Sequence, residues 1–186
     1  MVSTYNKGYE KCGGLPMKQH SLKKTELVSF VIASALGVLF HFMYEWTGEN
    51  AIAGLFFPIN ESTWEHLKLI FFPVSLLVLI EYFVLDIRYE NFLFIKFLSV
   101  LLGMAVTIIL FYTYTGIYGK NNDVLNILIY FLSMAAAYLF SYHWILSRKL
   151  PAVPGKVGFW GFVILMLLFF LFTLFPPEIA LFQPPV

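Results

Sequence analysis

Five long apolar runs constrain this chain more than any other feature: about Leu27–Trp46, Leu67–Leu85, Phe92–Tyr114, Val124–Leu146 and Val157–Phe175. A helix that crosses the hydrocarbon core of a bilayer needs about 20 mostly apolar residues, because the core is about 30 Å thick and each residue rises about 1.5 Å. All five runs fit that length. None alternates with the period of a strand, which argues against a transmembrane barrel. Only 12% of the residues are charged and 60% are hydrophobic, whereas soluble domains carry about 25% charged residues. The expected fold is therefore all-α, an integral membrane bundle of about five transmembrane helices. The same composition excludes soluble, disordered, collagen-like and disulfide-rich secreted classes, and the single cysteine, Cys12, has no internal partner for a disulfide.

Turn chemistry separates the runs: Thr47 to Asn50, Asp86 to Asn91, Gly116 to Asp123, and Pro151 to Gly155. Three parts follow: a basic tail (1–26), a helical domain (27–175), and a Pro-rich tail (176–186) expected to be extended rather than helical. No internal repeat supports a paired-half transporter. Lys7, Lys11, Lys18, Lys23, Lys24, Arg88, Lys96, Arg148, Lys149 and Lys156 fall on one side of the resulting topology, against Lys68 and Lys120 on the other. Ten against two places the N-terminus inside and the C-terminus outside by the positive-inside rule. The first span reads as a retained anchor, since its apolar stretch continues well past Ala33-Ser34-Ala35.

Polar residues inside such a chain need partners, water or a ligand, because a charge at mid-membrane costs about 2.5–3.5 kcal/mol on insertion scales. The first helix carries Ser29, Ala33, Gly37, His41 and Glu45 at four-residue steps, a slowly winding stripe suited to close helix approach. Ala51 to Pro58 is apolar but too short to span, so it is interfacial or re-entrant. Ser62 and Glu65 then match a capping box at the start of the second helix. Glu61, Glu65 and Lys68 share one helical face, with His66 about 100° away from Glu65. Pro73 removes a hydrogen bond from that helix and is expected to kink it. His41, Glu45, Glu61, Glu65, His66 and Lys68 thus gather toward the outside.

A second set, Glu81, Lys96 and His143, lies toward the inside. Glu81 and Lys96 are expected to pair and join the second and third helices. Ser99, Gly103 and Thr107 on the third helix, and Ser133, Ala137 and Ser141 on the fourth, form small ridges. The fifth helix is almost uniformly apolar and is expected at the periphery without chemistry. Trp46, Trp64, Tyr112, Tyr114 and Tyr118 read as aromatic-belt anchors.

The runs Phe40-His41-Phe42-Met43-Tyr44-Glu45-Trp46 and Pro58-Ile59-Asn60-Glu61-Ser62-Thr63-Trp64-Glu65-His66-Leu67-Lys68, followed by Phe71-Phe72-Pro73 and Glu81-Tyr82, resemble a bacterial membrane-protein family catalogued as a domain of unknown function. Tyr114-Thr115-Gly116-Ile117 and Phe175-Pro176-Pro177 look like its later landmarks. The resemblance spans most of the chain from about Leu27. It implies a small protein of the bacterial cytoplasmic (inner) membrane and supplies no activity or catalytic residues.

Three functions stay open at this stage. A metal-dependent enzyme would use His41 and His66 as zinc or iron ligands with Glu45 or Glu61 as the third. Glu65 would then serve as general base, and Lys68 would stabilise negative charge. A small proton- or ion-coupled permease would use the outer acids with Glu81 and His143 as protonatable stations. A structural or accessory subunit would use all these groups as caps and interhelical glue. The bilayer is the expected partner in each, with a homo-oligomer or partner subunit compatible with the last two. The net charge of +1 gives no pull toward nucleic acid. Phosphate-binding Gly-rich loops, the Gly-x-Ser-x-Gly elbow and Cys-x-x-Cys are all missing, which disfavours nucleotide, serine-esterase and dithiol chemistry.

Overall fold

A computed structural model describes residues 19–87, 89, 91–147 and 153–185. Lys7, Lys11, Cys12, Lys18, Arg88, Arg148 and Lys149 lie outside these residues. Every element among them is helical: α1 (Gln19–Trp46), α2 (Ala51–Phe56), α3 (Thr63–Phe83), α4 (Phe92–Tyr118), α5 (Asp123–Leu146), α6 (Gly155–Leu174) and a 3₁₀ turn (Ala180–Phe182). Five of them are long and apolar enough to cross a membrane: Leu22–Trp46, Thr63–Phe83, Phe92–Tyr118, Asp123–Leu146 and Gly155–Leu174.

Local chemistry sets the boundaries. Asn50, Ser62 and Asn122 cap α2, α3 and α5, each side-chain oxygen accepting a backbone N–H of the first turn. Gly119 ends α4 in the left-handed region at φ 71°, where a residue without Cβ carries no steric penalty. The first helix begins well before the apolar run, because Leu22 and Glu26 turn inward while Lys23 and Lys24 stay exposed. The third helix runs through Pro73 without a break.

The helices pack antiparallel along the chain. Residues near the end of α1 meet the start of α3, and the same reversal relates α3 to α4 and α4 to α5. The most buried span is α3; α6 is the least buried. Close approach depends on missing side chains. A Cβ on Gly37 would fall onto the Tyr130 hydroxyl and the Leu69 carbonyl, so α1, α3 and α5 meet only because that position is glycine. Gly158 plays the same part where α6 lies against the backbone of Leu93 and Phe94.

Two expectations are corrected at the C-terminal end. The tail is not simply extended: its 3₁₀ turn folds back and buries Phe182 against Trp64 and Phe172, with ring centroids at 5.0 and 5.3 Å. Trp64 is correspondingly a core residue, 8% exposed, rather than an interface anchor. Apolar aromatic surface at the start of α3 and the end of α6 explains both, since the tail removes it from solvent.

Candidate functional site

The end of α1, the loop before α3 and the first turn of α3 converge at one end of the bundle. His41, Glu61 and His66 each place one ligand atom there, all within 4.8 Å of one another. The His41 and His66 rings are 5.3 Å apart between centroids and inclined by 36°. His66 Nε2 lies 3.3 Å from Glu61 Oε2. The other ring nitrogen of His66, Nδ1, is 3.0 Å from the Ser62 carbonyl oxygen and donates to it. With Nδ1 engaged there, Nε2 faces Glu61: it donates to the carboxylate when the ring is protonated and presents its lone pair when the ring is neutral. The hydrogen bond from His66 holds the Glu61 carboxyl below its ordinary value, with the His66 and His41 rings adding a smaller attraction. His41 Nδ1 is buried and has no hydrogen-bond partner among the described residues.

Three such donors suit a transition metal. A tetrahedral zinc with bonds of about 2.0–2.1 Å sets its ligands about 3.3 Å apart. The Glu61–His66 separation already has that value. Zinc or iron therefore fits the chemistry of the set. Glu45, the other expected ligand, is exposed one turn beyond His41 and lies outside this group.

Glu65 and Lys68 occupy a different environment, buried to 2% and 0% exposure. Lys68 Nζ is 2.6 Å from Glu65 Oε2 and donates to the carbonyls of Gly54 at 2.7 Å and Phe57 at 3.4 Å. Glu65 also accepts from the Ile59 N–H at 3.0 Å and from the Thr173 hydroxyl at 3.1 Å. The pair thus ties α2, its exit loop and α6 to α3. Only half of the capping box forms: Ser62 caps Glu65 N, but Asn60 Oδ1 takes the Ser62 N–H and frees the Glu65 side chain for these contacts. Although α6 is peripheral as expected, it contributes Thr173 to this network.

Beside the histidines, Glu61, His66, Thr63 and Asn121 line a small recess. It shares Thr63, Phe111, Asn121 and Pro185 with a cleft of about 340 Å³ that reaches Lys120 and Gln183. The model of a family of unknown function, DUF6512, matches residues 16–186. The chain belongs to that family. No curated protein and no solved structure matches it. The match takes in every residue of the DUF6512 site just described.

At the opposite end of this DUF6512 chain, Lys96 Nζ lies 2.9 Å from Glu81 Oε2, joining α4 to α3. It also lies 2.7 Å from Glu26 Oε1 on α1. Glu26 falls in the stretch that the sequence reading assigns to the N-terminal tail. Its position three residues before Ser29, where the small-residue stripe begins, and seven before Ala33 is the available signal for an inward face. His143 is exposed and stands apart from this cluster.

Proposed function

We propose that this protein is an integral membrane metalloprotein with a His41–Glu61–His66 zinc-type site that performs metal-assisted hydrolysis. The observation that carries the reading is the convergence of these three donors within 4.8 Å, with His66 oriented through Ser62. Catalytic zinc sites use three protein ligands and keep one position for water. A bound metal would supply a hydroxide nucleophile near neutral pH. His66 is positioned by its Nδ1–H bond, Glu61 contributes the negative ligand, and the cleft that adjoins the recess provides room for a substrate. In this reading Glu65 and Lys68 hold the site's scaffold, and Glu45 is the carboxylate left for proton transfer. The excess of Lys and Arg at the other end supports an N-terminus in the cytoplasm of a bacterial inner membrane, with the site outside.

The test is hydrolysis of a panel of ester, amide and phosphate substrates by protein loaded with zinc in detergent. Activity lost in His41→Ala and His66→Ala, with folding retained, is the expected result. Activity unchanged in both variants overturns the assignment.

A further inference from the structure

Among the described residues, the cluster at the other end of the bundle does not balance its charge. Glu26 on α1 and Glu81 on α3 both face Lys96 on α4, and all three are at most 4% exposed. Two carboxylates meet one ammonium. The neighbours among the described residues are neutral: Ser29 donates to Glu81 Oε1 and Ser141 on α5 donates to Glu26 Oε1. The rings of Tyr138 on α5 and Phe92 on α4 lie 5.2 and 5.5 Å from Lys96 Nζ. Lys23, Lys24 and His143 are exposed and stand outside the cluster. Among the described residues, Glu26 Oε2 is buried with no hydrogen-bond donor. The ammonium sits at ion-pair distance from both carboxylates, so it acts as a shared point charge.

An unpaired charge inside a membrane bundle is costly, and a lone buried carboxylate oxygen adds its own desolvation. One further positive charge beside Glu26 removes both costs. Loss of the lysine proton would worsen the imbalance, so the added charge must come from elsewhere. We propose that Glu26, Glu81 and Lys96 form a binding site for one monovalent cation, a proton or a sodium ion, taken up at Glu26 Oε2. A proton would neutralise the carboxyl directly. A sodium ion would take Glu26 Oε2 as a ligand and offset its charge.

The test uses the full chain in detergent and two readouts: thermal unfolding, and carbodiimide modification of Glu26 followed by mass spectrometry. Carbodiimide reacts with the protonated carboxyl. If the cation is a proton, labelling and unfolding temperature both fall as pH rises, whether sodium or choline is the counterion. If it is sodium, sodium blocks labelling and raises the unfolding temperature where choline does neither. Glu26→Gln supplies a neutral side chain and should lose the dependence on either ion. Wild-type labelling and stability indifferent to both pH and sodium overturn the proposal, as does wild-type ion dependence in Glu26→Gln. If Glu26→Gln fails to fold, labelling of the wild type still decides.

Discussion

The Lys68 ammonium donates to the carbonyl of Gly54, 2.7 Å away and fourteen residues back along the chain. A charged side chain at 0% exposure is thereby the clamp that holds the short helix α2 on the bundle. Its countercharge, Glu65, belongs to the same helical turn region of α3 and reaches α6 through Thr173.

Replacing Lys68 with Met leaves Glu65 buried without its countercharge, a loss of about 3–5 kcal/mol for a broken buried pair. Lys68→Met is expected to unfold at lower denaturant in detergent and to exchange amide hydrogens faster across Ala51–Phe56. The double variant Glu65→Gln, Lys68→Met should recover part of the loss. Unchanged exchange in α2 would show that the clamp carries no load.

Glu81 and Lys96 join α3 to α4 across 2.9 Å. A double-mutant cycle with Glu81→Gln and Lys96→Met should give a coupling of about 0.5–3 kcal/mol, the range for residues in one ion-pair network. Strict additivity would mean that the two groups do not sense each other.

The contact of α1 with α3 and α5 rests on Gly37, where a Cβ would overlap Tyr130 and Leu69. Gly37→Ala is expected to cost about 1–3 kcal/mol through overpacking. Gly116 in α4 has open space around it, so Gly116→Ala should stay within about 1 kcal/mol of wild type. Equal effects at the two positions would contradict the packing described.

The Glu61 carboxyl is held below its ordinary value of 4.5 by the hydrogen bond from His66. A depressed carboxyl stabilises the fold above its unfolded value, and the contribution disappears as pH falls through the folded one. In metal-free protein, the stability gap between wild type and Glu61→Gln should be full between about pH 4.5 and the pH at which His66 gives up its Nε2 proton, and close on acidification. A gap that persists in acid would place its origin elsewhere.

Much of this architecture is legible in the sequence because lipid leaves few choices: five runs of spanning length can satisfy their backbone only as helices. Glu81 with Lys96 is legible for the same reason, since two opposite charges on adjacent spans have few other partners. Glu26 is not, because Lys23 and Lys24 beside it make the segment resemble a solvated tail. Its burial appears only when α5 supplies Ser141 from 115 residues away. The fates of Glu65 and Trp64 escape for a similar reason. A local Ser-x-x-Glu pattern describes only the nearest backbone, whereas Thr173 and Phe182 arrive from the far end of the chain. The meeting of His41 with His66 needs the antiparallel register of α1 on α3, which Gly37 sets.

The most direct test of the proposed metal site is elemental mass spectrometry of detergent-purified protein after zinc loading and removal of free metal. Wild type is compared with the folded His41→Ala, His66→Ala double variant. Near-stoichiometric zinc in the wild type that is lost in the variant is the predicted result. Zinc retained at equal stoichiometry in the variant, or absent from the loaded wild type, would contradict the account.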